Sequence, residues 1–302
     1  MMKNKTIYAF KLVIFLQAIL FSVNAQTLNS TVPNESGIRR NATYNLEEIK
    51  VRWKKAALEN CTGVPCTPGT TGTGGTGGAF ACGTSTVKDG DNNTYNTVSI
   101  GTQCWTKENL RTTKYIDGTD IPLNSSGTAP GGTTGENWST RTTGERTIYE
   151  HNSVNETNYG YLYNWYAVKG ISLSGINKSI CPTGWHVATD AEWTILENYL
   201  GGRPLAGGKM KDLSSLWSSG SNPGNNESKF SALPGGQRRG SNGLFFEGVS
   251  FAYFWTSSED PNDNTRGFSR YLWYNTLATD RSGSQKSSGY SIRCIKDQVV
   301  AQ

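Results

Sequence analysis

Histidine is almost missing from this chain: its 302 residues include two, His151 and His186. Neither sits in a catalytic pattern, since no Gly-x-Ser-x-Gly elbow and no His-Glu-x-x-His pair occurs. No Cys-x-x-Cys is present, so the cysteines lack the spacing of a zinc site. The glycine-rich stretch 67–79 (TPGTTGTGGTGGA) has no Gly-Lys-Ser/Thr ending, which excludes a phosphate loop. Charge of one sign is also scarce. The formal net charge is +5, and the basic pairs Arg39-Arg40, Lys54-Lys55 and Arg238-Arg239 build no stripe, so nucleic acid is not an expected partner. After residue 25 no run is long and apolar enough to cross a bilayer.

What is present begins with an export signal. Lys3 and Lys5 form a basic start, 7–23 is apolar apart from Lys11 and Gln17, and Val23 and Ala25 are small residues at the −3 and −1 positions of a cleavage site. Residues 1–25 are therefore expected to be removed, leaving Gln26 as the mature N-terminus. No cysteine follows the cut, so a lipid anchor is not indicated. Residues 26–43 are polar and aperiodic and read as a disordered leader. Residues 44–60 read as a short helix: Asn45 caps it, Glu48 completes a capping box, and Leu46, Ile49, Trp53, Ala56 and Ala57 share one face. A helix this short is marginal alone in water. It is expected to dock on the domain or to self-associate through residues 46–59. Residues 61–79 form a cysteine loop and a Gly/Thr-rich linker whose composition cannot bury a core.

From Phe80 onward the chain is long enough for one core. Eleven per cent aromatic residues and 35 glycines suit an extracellular fold rich in strands and loops. Residues 87–100 predict a hairpin turning at Asp89-Gly90 or Asn92-Asn93. Residues 124–147, rich in Gly, Ser and Thr, predict a long surface loop. Residues 189–200 predict a helix capped by Thr189 or Asp190, with Trp193, Leu196 and Leu200 on one face and Gly201-Gly202 ending it. Aromatic segments at 229–233, 244–254, 267–274 and 289–295 read as strands of a small, twisted antiparallel sheet, giving an α+β domain over 80–297.

Six runs in order carry a resemblance: DGDNNTYNTVSIGTQCWTKENL (89–110), YLYNWYAV (161–168), ICPTGWHVATDAEW (180–193), LPGGQRRG (233–240), FWTSSE (254–259) and GYSIRCIKD (289–297). Together they resemble the Fibrobacter succinogenes major paralogous domain, which brings no established activity with it. The layout also resembles the C-type-lectin-like and formylglycine-generating-enzyme-like folds. Those share a helix after a Pro-Thr-x-x-Glu-Trp type motif and a final strand near Gly-[Phe/Tyr]-x-x-Arg. Ala188 to Trp193 and Gly289 to Arg293 occupy these places, with Ala188 where the proline usually stands. The resemblance implies a C-type-lectin-like module with one or two helices and long loops.

Six cysteines in an exported chain point to disulfides. Cys61 and Cys66 are close in sequence, and Cys82 and Cys104 flank the hairpin, which leaves Cys181 and Cys294; the lectin-like layout joins the same two. A formylglycine-type enzyme needs reactive cysteines near its C-terminal end, where only Cys294 is found. His186 reads as a packed or turn histidine and Glu192 as a capping residue. No cofactor is expected. Trp255, Tyr271, Trp273 and Tyr274 are the candidates for a sugar-stacking platform, although core packing competes for each ring. Glu259, Asp260, Asn262 and Asp263 place oxygens in a turn as a calcium loop would, but without EF-hand spacing; a solvated turn is the expectation. The chain is therefore expected to be a secreted or cell-surface, non-catalytic module binding a glycan or another surface protein. A formylglycine-type enzyme and an architectural subunit assembled through the N-terminal helix are the alternatives.

Overall fold

Asp89 builds the first hairpin. In the computed structural model its Oδ1 accepts from the N–H groups of Asp91 (2.9 Å) and Asn93 (3.0 Å), and the Tyr95 hydroxyl donates to its Oδ2 at 2.5 Å. Asn92 takes the left-handed conformation that the turn requires, at φ 64°. The flanking strands are β1 (Thr86–Lys88) and β2 (Thr94–Ile100), as the sequence predicts. The structure describes residues 80–125, 136–220 and 224–298, all within the unit Gly77–Gln302. The signal, leader, helix 44–60, linker and Cys61–Cys66 lie outside the described residues.

The remaining elements follow in order: β3 (Gln103–Thr106), α1 (Glu136–Ser139), β4 (Arg146–Thr147), α2 (Ser153–Tyr159), β5 (Leu162–Tyr163), α3 (Trp165–Val168), β6 (Trp185–Val187), α4 (Asp190–Tyr199), α5 (Arg203–Met210), β7 (Gln237–Arg238), β8 (Phe245–Phe246), β9 (Phe251–Glu259), β10 (Arg266–Trp273), β11 (Thr279–Gln285) and β12 (Cys294–Lys296). The fold is α+β. A five-stranded antiparallel sheet has the order β1-β2-β3-β12-β6, a three-stranded one the order β11-β10-β9, and two strand pairs, β4-β5 and β7-β8, complete it.

The division into two larger sheets corrects the single small sheet expected. Residues 229–233 form no strand, because Lys229 and Ser231 sit at φ 60° and 53°, which breaks the extended run. They deliver the fully buried ring of Phe230 instead. Residues 289–291 make isolated bridges and the strand proper begins at Cys294. The segment 124–147 is not only surface: Trp138 within it is fully buried, with the Arg238 guanidinium 4.6 Å above its ring. Helix α5 and strand β11 were not legible. β11 (TDRSGSQ) has no apolar alternation and is held by its seven-residue register with β10. α5 needs glycine at 207, where a Cβ would stand 2.1 Å from the Ala278 carbonyl oxygen.

Helix α4 matches expectation. Thr189 and Glu192 form a reciprocal capping box, and Trp193 and Leu196 are fully buried. Burial of two such side chains is worth about 1.5–3 kcal/mol each. Trp193 meets Trp105 at 5.1 Å and Phe254 at 5.4 Å, joining α4 to both larger sheets. Cys82 is bonded to Cys104, and Cys181 to Cys294, both as the sequence predicts; among the described residues no cysteine is free. Arg293 is fully buried and donates to Asn109 Oδ1 (2.7 Å) and to the carbonyls of Thr106, Lys107, Phe230 and Ser231. Among the described residues no helix is long and apolar enough to cross a membrane.

Candidate functional site

The register of β9 on β10 sorts the aromatic side chains. Phe251 pairs with Trp273 and Tyr253 with Tyr271, so these four share one face. The intervening Ala252, Phe254 and Leu272 point the other way and are buried in the core. The four rings form a row: Phe251 stacks on Trp273 at 5.7 Å and 9°, and on Tyr253 at 5.6 Å and 18°, while Tyr271 lies 5.4 Å from Tyr253. Stacked rings stand on edge, so the row shows solvent mainly ring edges along its length. Trp273, 36 % exposed, ends the row and stacks on one ring only. Tyr274 meets it edge-on at 5.9 Å. Beneath this end, the buried Lys211 ammonium donates to the carbonyls of Trp273, Tyr274 and Thr276 at 3.2, 3.2 and 2.7 Å. Burial pushes its pKa down to about 8.

Trp255 does not belong to this surface, which corrects the expected platform. It continues the same alternation but is fully buried, with Nε1 donating to the Tyr163 carbonyl (2.8 Å) and Tyr290 packed 4.4 Å away. Its covering residues come from distant segments, so the local sequence gives no sign of them.

A polar corner adjoins the row. The Tyr253 hydroxyl (2.6 Å) and the Gln237 amide both donate to Glu247 Oε2. Burial, aided by this carboxylate, raises the Tyr253 pKa well above that of an ordinary phenol. The Arg239 guanidinium stacks 3.5 Å over Phe246, which pairs with Gln237.

The acidic turn is not assembled as a cation site. Asp260 Oδ1 accepts from the Asn262 N–H (3.0 Å), and Asp263 Oδ1 from the N–H (2.9 Å) and hydroxyl of Thr265. Asp263 also pairs with Arg266, and Glu259 with Lys286. The oxygens are turned to their own loop and to cations. Among the described residues no three His, Cys, Asp or Glu side chains are grouped to hold a metal ion.

His186 is more than a packed residue. It lies half-buried on β6 between Glu192, at 2.9 Å from Nε2, and Asp297, at 2.6 Å from Nδ1. Hydrogen bonding to Glu192, with a smaller contribution from Asp297, raises its pKa to about 9 against the opposing effect of burial. It also lines a cleft of about 270 Å³ together with Lys169, Lys178 and Ser257. The folded state therefore binds this proton more tightly than the unfolded chain. The stabilisation is complete below pH 6.5 and is lost as pH rises through about 9. Because 38 % of the side chain is exposed, screening keeps the contribution under about 1 kcal/mol. An NMR titration of the imidazole is expected to give a midpoint far above 6.5; a midpoint near 6.5 would show that the two carboxylates do not hold it.

With this geometry in place, comparison with known proteins is informative on one point. The family model described as the Fibrobacter succinogenes major domain matches residues 98–296, about two thirds of the chain. The chain belongs to this family. No curated protein and no solved structure matches it. In this member of the Fibrobacter succinogenes major domain family, the ring row brings together Tyr271 and Trp273 from the expected platform, while Tyr274 meets Trp273 edge-on and packs against the core cluster of Phe254 and Leu272. Sequence reasoning missed Phe251, Tyr253 and Glu247. The period-2 spacing of Phe251 and Tyr253 in a strand already expected was the available signal; nothing local marked Glu247.

Proposed function

We propose that this member of the family is an exported, non-catalytic binding module that takes carbohydrate on the β9–β10 ring row. The carrying observation is the row itself. Phe251, Tyr271 and Trp273 stand away from the core on a sheet face, with Tyr253 among them stacked on the buried Tyr290, beside the hydrogen-bonding groups of Glu247, Gln237 and Arg239. Aromatic rings with a few placed polar groups are the chemistry by which proteins hold sugars. Export is supported by the N-terminal signal pattern and by two disulfides, which persist in oxidising compartments. A C-type-lectin-like layout is supported by the capped helix α4, the last strand β12 beside β6, and the bond between Cys181 and Cys294. The formylglycine-type alternative needs free thiols near the C-terminal end, where Cys294 is bonded.

A glycan array with the mature protein tests the reading. Binding to at least one glycan is expected, and Trp273→Ala should weaken it by about tenfold or more, as loss of an interface anchor does. Undiminished binding by this variant, or capture of a protein partner with no glycan bound, would overturn it.

A further inference from the structure

The end ring, Trp273, offers a face for stacking but no selection, and the residue beside the row that is built for selection is Glu247. Its backbone is in the left-handed region at φ 64°, and Val249, two residues on, is there too at φ 58°. A β-branched residue rarely adopts that conformation, and such strain persists only where the surroundings enforce it. Here they do. The Gly248 N–H donates to the Tyr149 hydroxyl (2.9 Å), the Val249 N–H to the Pro234 carbonyl (3.1 Å), and the Phe251 N–H to the Glu247 carbonyl (3.0 Å). The loop that joins β8 to β9 is thus clamped in a costly shape, and its product is a carboxylate fixed beside Tyr253.

That carboxylate is half satisfied. Oε2 takes both the Tyr253 hydroxyl and the Gln237 amide, while Oε1 accepts no hydrogen bond from any described residue. A fixed acceptor next to aromatic rings calls for a ligand that brings donors. The charges around the row point to the kind of donor. Glu247 lies beside Tyr253, and Asp280 is the cross-strand neighbour of Tyr271. Asp280 is paired with Arg203 at 3.3 Å, and Arg239 lies flat on Phe246. At the surface the two carboxylates balance the two guanidinium groups, and the Lys211 ammonium below is buried and turned to three backbone carbonyls, so an acidic ligand would meet Glu247 without an open cation to draw it.

We infer that Glu247 is the specificity-determining residue of the surface, accepting hydrogen bonds from adjacent hydroxyls of a neutral polyhydroxylated sugar chain, and that acidic glycans are excluded. This rests on the carbohydrate reading of the ring row. The geometry pre-organises the acceptor, so little ordering cost falls on binding.

The test compares wild type, Glu247→Gln and Trp273→Ala on immobilised neutral polysaccharides (glucan, xylan, mannan) and acidic ones (polygalacturonate, heparin). Wild type is expected to bind a neutral polymer and neither acidic one. Glu247→Gln, which keeps the shape but loses the charge-assisted acceptor, should bind that polymer about tenfold more weakly. Its thermal melting should stay close to that of wild type, which separates recognition from folding. If Glu247→Gln binds as wild type does while Trp273→Ala does not, the ring row stands and the role of Glu247 is refuted. Preference for an acidic polymer refutes the ligand class. Binding untouched by either variant, or no binding by wild type, removes the carbohydrate reading and this inference with it.

Discussion

Serine in place of Cys181 or Cys294 is expected to lower the melting temperature by on the order of 10–15 °C and to leave the partner cysteine open to a thiol reagent. The two residues are 113 apart in sequence. In the chain-entropy model, closing a loop of this size is worth about 4–5 kcal/mol, which native strain or residual structure in the unfolded chain would reduce. Domains of this length shift by roughly 2–4 °C per kcal/mol. The loss is a large share of a typical net stability of about 5–15 kcal/mol. The bond also has a local role, because Cys181 precedes β6 while Cys294 opens β12, and these strands pair through Cys294 and Val187. Removing it frees the end of the sheet as well as the loop. Thermal melting with thiol titration makes the check, and non-reducing peptide mapping that joined Cys104 to Cys181 would overturn the pairing.

Replacing Arg293 with methionine should cost more than about 4 kcal/mol, in the range that marks a specific structural failure. The guanidinium is fully buried and satisfies five oxygens drawn from the end of β3, from the Phe230 segment and from Asn109. The rings of Phe230 and Phe254 lie 4.5 and 5.6 Å away. Burial lowers the pKa of Arg293 to about 9, a sign of how far the charge is removed from water. Methionine fills much of the volume but offers no donor, so each abandoned carbonyl carries a desolvation cost of about 1–3 kcal/mol unless water enters. Lysine, with three donors on a compact head, should recover part of the loss but not all, since the planar fork reaches acceptors on several sides at once. Chemical denaturation gives the numbers. A methionine variant within about 1 kcal/mol of wild type would mean that the arginine is not the joint it is taken to be.

What was legible in the chain and what was not divides along a physical line. The hairpin at 87–100 and helix α4 were legible because their signals are local: turn residues in one, and a capping box with apolar spacing in the other. Both disulfides were legible because few pairings remained once the hairpin was placed. Strand β11 was not, since Thr279–Gln285 is polar and small and becomes a strand only by lying along β10. The arginines misled in the same way. Arg238, Arg270 and Arg293 count as surface charge in a composition but are fully buried, each satisfied by partners far away in sequence, as Arg270 is by Glu197 at 2.9 Å. In the ring row, Tyr271 and Trp273 were nameable from their abundance and strand spacing. Trp255 was indistinguishable from them, because its cover comes from Tyr163 and Tyr290.

The place of β12 has a consequence for how the protein comes into being. It follows every other strand of its sheet in sequence, yet it lies between β3 and β6, with Ile295 facing Trp105 on one side and His186 on the other. The chain must be made as far as Lys296 before the larger sheet can close, and closure then joins Ile295 to Trp105, far back in the sequence. Such distant pairing folds slowly. A chain that stopped before Arg293 would lack the strand that joins β3 to β6, the bond between Cys181 and Cys294, and Arg293 together, and the larger sheet would stay in two parts.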